Sequence, residues 1–170
     1  AYNSVADCYY EMKNYDMAMH YLDEVVKTGT AHFGEQHYEV ALAYSLKFAV
    51  YRAMSDKASA IRFGEKGLAI YKEHYPEGFE VARAYFKMAE FYSEEKELEK
   101  ASAYVNEAIN HCFVSGKKVD LEDIRFENII DVEMLTQALE LKAEILPIID
   151  IDSGFQEADE LYAKIFNLYS

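Results

Sequence analysis

Three segments of this 170-residue chain repeat one another at nearly constant spacing. The first opens on Tyr2, Val5, Ala6 and Tyr9, apolar residues at i, i+3, i+4 and i+7, which is one face of a helix. After the polar break at residues 13–16 a second helical pattern runs through Ala18, Leu22, Val25 and Val26. The same grammar returns at Tyr44, Phe48 and Tyr51, followed by Ala60, Gly64, Gly67 and Leu68. It returns again at Tyr85, Met88, Ala89 and Tyr92, followed by Ala101, Val105, Ala108 and Ile109. The small residue of each second helix marks the period: Ala18 to Ala60 is 42 residues and Ala60 to Ala101 is 41. Within each unit Tyr2 and Ala18, Tyr44 and Ala60, and Tyr85 and Ala101 all stand 16 apart. A period of this length means stacked helix pairs, each too small to bury its own apolar face. With 7 Gly and 2 Pro, the chain also lacks the turn residues of an all-β sandwich or barrel.

The units resemble tetratricopeptide repeats: an aromatic opening helix A, a small residue four on, a Tyr three later, and an Ala early in helix B. The period exceeds the usual ~34 residues and is similar to the long repeats of kinesin light chains, which carry a Gly-x-x-His-Pro-x-Val-Ala loop before helix A. Here Gly34, His37, Val40 and Ala41 stand at those positions, and later Tyr75, Pro76, Val81 and Ala82. The resemblance implies an all-α, right-handed α-α superhelix in a single domain spanning residues 1–170. Its repeats are placed at about 1–34, 42–76 and 83–112, with an insert at 113–136 and a divergent fourth pair at 137–170.

Some positions depart from the pattern. No glycine marks the turn between helices A and B; Lys13, Ser55 and Lys96 stand there, so Asn14 or a looser turn is expected to absorb the reversal. Lys47 occupies a slot where the pattern wants Leu and is expected to snorkel or to pair with a carboxylate. Gly64 and Gly67 each cost ~1 kcal/mol of helix propensity. Either a neighbouring backbone or a ring such as Phe86 approaches closely there, or the turn is weak. Cys8, between packed positions, reads as a small buried residue. Tyr2, Tyr9, Tyr44, Tyr51, Tyr85 and Tyr92 read as packing knobs. Tyr10, Phe86 and Tyr169 fall off that pattern and are candidates for a partner surface or for a neighbouring repeat.

Beyond His111 the period slips. Residues 116–118, Gly-Lys-Lys, look like a helix stop, and Val119 to Met134 is apolar and acidic without a clean period. Gln137 to Ile149 reads as a helix that Pro147 ends or kinks, Asp150 to Gly154 as a loop, and Phe155 to Leu168 as the last helix. From Ala101 to Ala158 is 57 residues, about fifteen beyond the earlier period.

In the family resembled, A helices line a concave groove. The resemblance places groove positions at Asn3, Asp7, Tyr10 and Glu11 in the first unit, Ser45, Ala49, Arg52 and Ala53 in the second, and Phe86, Glu90, Ser93 and Glu94 in the third. Such side chains suit an extended or helical peptide. The slots at which some relatives use Lys and Asn to clamp a chaperone's C-terminal carboxylate hold Asn3, Asp7, Phe86 and Glu90 instead. A cationic or mixed-charge partner is therefore expected.

Seventeen Lys and Arg against 31 Asp and Glu give a net charge of −14, a field that repels phosphate backbones and argues against nucleic acid as a partner. No apolar run approaches the ~20 residues of a membrane span. The five histidines show no i, i+4 pair with an acid nearby, and neither a phosphate-cradling Gly-rich loop nor a GxSxG elbow is present. Neither metal nor cofactor is expected, and the chain is expected to be no enzyme. Two cysteines make no disulfide framework, and a cytoplasmic location is the default. The start at Ala1, without Met or signal peptide, suggests a piece of something longer. The expected function is a non-catalytic protein- or peptide-binding scaffold. Two alternatives stand beside it. Residues 6–13 and 71–74 look similar to stretches of bacterial cytoplasmic peptide-pheromone receptors, and the helical C-terminal part of SET-MYND methyltransferases is similar in kind, which would make this an accessory domain of an enzyme.

Overall fold

The computed structural model describes residues 2–76, 78–113 and 129–168. Among these residues run eight helices and no strand, so the fold class is the all-α helix-pair solenoid that the repeats imply. The chain divides into two compact units, Ala1–Pro76 and Glu77–Ser170.

The first unit holds α1 (Tyr2–Glu11), α2 (Tyr15–Phe33), α3 (Tyr38–Ala53) and α4 (Lys57–His74). Neighbours along the chain pack as pairs, α1 on α2 and α3 on α4, while α3 also packs on both α2 and α1. The seam is apolar: Ala6, Ala18, Leu22, Val25, Ala43 and Val50 form one buried cluster. Each large member contributes roughly 1.5–3 kcal/mol by leaving water. The marker alanines Ala18, Ala60 and Ala101 are all fully buried, because a helix crossing this close has no room for a longer side chain.

A second device repeats with the same register. In each of the first three pairs, two A-helix tyrosines seven residues apart bracket one B-helix ring. Tyr2 and Tyr9 lie 6.1 and 5.5 Å from Tyr21. Tyr44 and Tyr51 lie 5.8 and 5.3 Å from Phe63. Tyr85 and Tyr92 lie 6.0 and 5.2 Å from Tyr104. The knobs are therefore real contacts, except that Tyr2, though it touches Tyr21, stays 53% exposed. Cys8 is exposed rather than buried. Two positions beyond buried Ala6 lie some 200° round the helix, on its far side.

The A-to-B turns correct one expectation. Lys13, Ser55 and Lys96 themselves take the left-handed conformation, with φ of 56°, 61° and 63°. In each turn two amides close back on the preceding helix: Lys13 on Tyr10 and Asn14 on Tyr9, Ser55 on Arg52 and Asp56 on Tyr51, Lys96 on Ser93 and Glu97 on Tyr92. That is a Schellman cap with a side-chain-bearing residue where glycine is usual. Asn14 does not absorb the reversal; it caps the next helix, its Oδ1 accepting from the Met17 amide at 3.2 Å. Asp56 does the same for Ser59, at 3.1 Å, and these hydrogen bonds hold its carboxyl below the usual range.

Lys47 is 5% exposed. Its Nζ pairs with the Asp23 carboxylate of α2 and stands 4.9 Å from the centre of the Phe63 ring. Of the two helix glycines, Gly64 is buried, and Gly67 meets the α3 backbone. A Cβ there would lie 3.2 Å from the Ala41 carbonyl oxygen and 3.0 Å from Ser45 Oγ. Close backbone approach, rather than a weak turn, is the reason for glycine at Gly67.

The second unit holds α5 (Phe79–Glu94), α6 (Leu98–His111), α7 (Val132–Ile149) and α8 (Gly154–Leu168). Here α5 pairs with α6 and α7 with α8, while α7 also packs on α6 and α5. Helix α7 starts at Val132, five residues ahead of the expected Gln137, because Asp131 caps it through the Met134 amide at 2.9 Å. It runs through Pro147 to Ile149, so the proline does not end it. The α7–α8 turn is held by Asp150, which accepts from the Asp152 amide at 3.0 Å and from Ser153 Oγ at 2.8 Å. Gly154 is required by contact, since a Cβ would fall 2.4 Å from the Leu146 carbonyl oxygen.

The expected helix stop at 116–118, Tyr169, and most of the segment from Val119 to Met134 lie outside the described residues. The two sides of the insert are nonetheless tied together. Phe113 and Ile129 form an isolated antiparallel bridge, and the Ile130 amide donates to the Cys112 carbonyl at 2.7 Å. Between the bridged residues lie 15 positions, the whole excess of the 57-residue spacing over 42.

Candidate functional site

In the first unit α1 and α3 lie side by side, and three of the expected groove residues, Asp7, Glu11 and Arg52, act electrostatically on the hydroxyl of a fourth, Tyr10. Tyr10 is half-buried, its ring 6.2 Å from Tyr15. Its pKa is raised, first by burial and then by Tyr15; Glu11 and Asp7 push the same way, and the Arg52 guanidinium opposes them. Asp7, Tyr10 and Glu11 of α1 and Arg52 of α3 therefore share one neighbourhood. Asp7 and Glu11 are exposed and Arg52 is half-buried. Tyr10 also packs against the apolar seam, which leaves Asp7 and Glu11 as the exposed side chains of this group.

The remaining expected positions sit differently. Asn3 is 6% exposed. Its Nδ2 donates to Glu39 Oε2 at 2.6 Å and to the Glu39 carbonyl at 3.3 Å, tying α1 to the start of α3, while Oδ1 is buried without a hydrogen bond. Asn3 thus acts as a strut between two A helices. Ser45 is half-buried against Gly67 of α4, its hydroxyl donating to the Ala41 carbonyl at 3.2 Å. Ala49 is half-buried and Ala53 exposed.

In the second unit Phe86 is buried, at 6% exposure. Helix α5 buries Val81, Ala82, Tyr85, Phe86, Met88, Ala89, Phe91 and Tyr92. A helix covered round so much of its circumference leaves little room for a groove ring. Glu90 is half-buried and ion-paired with Lys87 at 3.0 Å; Ser93 is half-buried and Glu94 exposed.

Three side chains missed in the sequence bear on the site's frame. Tyr21, Phe63 and Tyr104 follow the 42 and 41 spacing of the marker alanines, a signal that was present and is diluted only by the Tyr/Phe alternation. His37 also caps α3, Nδ1 accepting from the Glu39 amide at 3.2 Å while the ring stacks on Phe33 at 4.6 Å. The cap fixes Glu39, and through it Asn3.

Among the described residues no group of three or more His, Cys, Asp or Glu is placed to hold a metal ion, and no helix is long and apolar enough to cross a membrane.

Comparison with known proteins places this geometry. The tetratricopeptide repeat family matches residues 1–73. A clustered mitochondria protein homolog from Danio rerio is 23% identical over 112 residues, 66% of this chain and 8% of the relative. The crystal structure of BtubC (BKLC) from P. vanneervenii superimposes with a TM-score of 0.80 at 14% identity, covering 99% of this chain and 61% of that one. A kinesin light chain from Podosopora anserina with nearly identical TPR-like repeats gives 0.58 at 15% identity, over 99% of this chain and 93% of its own. At these identities the structural likeness is one of fold, and the chain spans only a small part of the curated relative.

Proposed function

Since the chain is a tetratricopeptide-repeat protein, we propose that it is a non-catalytic scaffold that binds a peptide or protein segment of cationic or mixed charge along its A helices. Repeats of this kind typically mediate protein interactions. The observation that carries the reading is the cluster around Tyr10, where Asp7, Glu11 and Arg52 share one neighbourhood on adjacent helices. The exposed Asp7 and Glu11 carboxylates favour a partner that carries positive charge. The phenol adds a flat, amphipathic contact. Asn3, Ser45 and Phe86 act as frame. A net charge of −14 supports steering of basic partners and disfavours nucleic acid.

The test is selection of peptides from a displayed random library on the chain, followed by anisotropy titration of the selected sequences. Basic or mixed-charge peptides are expected. Asp7→Lys with Glu11→Lys should weaken them at least tenfold without moving the melt, because both side chains are exposed. Enrichment of acidic peptides, or binding indifferent to both changes, refutes the reading.

A further inference from the structure

Helices α3 and α4 carry a charge opposite in sign to that of the whole chain. Residues 38–74 hold six Lys and Arg against four Asp and Glu, in a protein whose acids outnumber its bases 31 to 17. Several cations of the other helices meet acids, as Lys27 does Glu24, Lys87 Glu90 and Lys100 Glu97. On α4, Arg62 and Lys66 lean on rings instead. The Arg62 guanidinium lies 4.6 Å from the centre of the Phe63 ring, and Lys66 Nζ lies 5.3 Å from that of Tyr44. Among the described residues no carboxylate stands within ion-pair distance of either.

The rings beneath these cations are themselves fixed. Phe63 stacks between Tyr44 and Tyr51, at 5.8 and 5.3 Å, with interplanar angles of 30° and 1°. A cation held over a ring keeps its long side chain in place while its N–H groups remain able to donate. The nearby acids are committed elsewhere or out of reach. Asp56, which feels Arg62, accepts from the Ser59 amide at 3.1 Å. Glu73 meets His74 at 3.8 Å, and Glu65 pairs with neither cation. Arg62 and Lys66 are both exposed and, four residues apart, share one side of α4.

We propose that Arg62 and Lys66 form a docking site for an acidic, extended segment of a binding partner, with carboxylates at alternate positions. Alternate side chains of an extended chain stand about 6.6 Å apart on one face. That is close to the roughly 6 Å rise between helical residues four apart. Arg62 offers a planar fork to one carboxylate, and Lys66 a point charge to the next. Ala58 and Ala69, exposed a turn to either side, leave room for the partner's backbone to lie close. The site is on a B helix and opposite in sign to Asp7 and Glu11, so it serves a different segment from the one proposed above.

The probe is a fluorescein-labelled nonapeptide in which glutamate alternates with serine, titrated into the whole chain by anisotropy beside its glutamine counterpart. Saturable binding of the glutamate peptide alone is expected, weakened about fivefold or more by Arg62→Gln with Lys66→Gln. Both side chains are exposed, so the melt of that variant should match the parent's. Asp7→Asn with Glu11→Gln should leave the glutamate peptide bound, which separates this site from the cluster around Tyr10. Absence of saturable binding, equal binding of the glutamine peptide, or retention by the Arg62 and Lys66 double variant overturns the proposal. An equal loss on Lys27→Gln, a surface cation of α2, does so too, because charge alone would then explain the binding. Self-association in sedimentation velocity that the double variant abolishes also overturns it, since a second copy would then be the occupant.

Discussion

Replacing Ser55 by glycine should stabilise this protein, although glycine normally weakens whatever it enters. Ser55 holds φ at 61° between α3 and α4. A residue with a Cβ pays roughly 1–2 kcal/mol for the left-handed conformation. Glycine removes that cost but gains freedom in the unfolded chain worth about 0.4–1 kcal/mol. The difference leaves a stabilisation of about 0.5–1 kcal/mol. Near the melting temperature of a chain this size, that is a rise of roughly 1–4 °C. Both amide hydrogen bonds of the turn, Ser55 to Arg52 and Asp56 to Tyr51, are backbone and survive the change. Lys13 and Lys96 sit in turns that share no hydrogen-bond partner with this one, so the triple glycine variant should gain roughly three times as much. Thermal melts by circular dichroism and calorimetry give the answer, with Ala69→Gly as the control of opposite sign. Ala69 is exposed in the middle of α4, where glycine costs ~1 kcal/mol. If Ser55→Gly lowers the melt as Ala69→Gly does, the left-handed assignment and the strain argument both fail.

At Lys47, Lys47→Met should leave the melt within about 1 kcal/mol of the parent, since it replaces a buried ion with an apolar chain of similar length. Asp23→Ala should cost more, because it strands a buried ammonium; a melt ordering the other way round would show that the pair, rather than the burial, sets the energetics. Cys112 is pushed up to about 12, mainly by burial and secondarily by Asp131. The folded chain therefore holds that proton more tightly than the unfolded one. The resulting stability is complete below pH 9, the ordinary thiol value here, and is lost between about 9 and about 12. Native alkylation at pH 8 should label exposed Cys8 quickly and buried Cys112 only on unfolding, and equal labelling rates would contradict this placement.

What was legible in the sequence follows from what periodicity encodes. Ala18, Ala60 and Ala101 mark helix crossings because a crossing tolerates only a small residue, and all three are fully buried. Lys47 was readable because a cation in a Leu slot must find an acid. Phe86 was not, because helical spacing gives an angle around an axis and says nothing of how many neighbours cover that angle. On α1 just Asn3 and Ala6 are buried, while on α5 half the helix is. Cys8 failed for the related reason that adjacency to packed residues in sequence is not adjacency on a helix. The left-handed turns were hidden by Lys and Ser, residues that carry no signature of positive φ. Asp131 as a cap was lost in an acidic stretch where one aspartate looks like the next.

The bridge from Phe113 to Ile129 has a further consequence. By closing the chain on itself before α7 begins, it ties together the two ends of the intervening 15 positions. Their number and chemistry can drift without altering the pitch at which α7 meets α6. The junction is thus a natural socket for swapping in foreign sequence, and a short turn there should leave the stack's rhythm untouched.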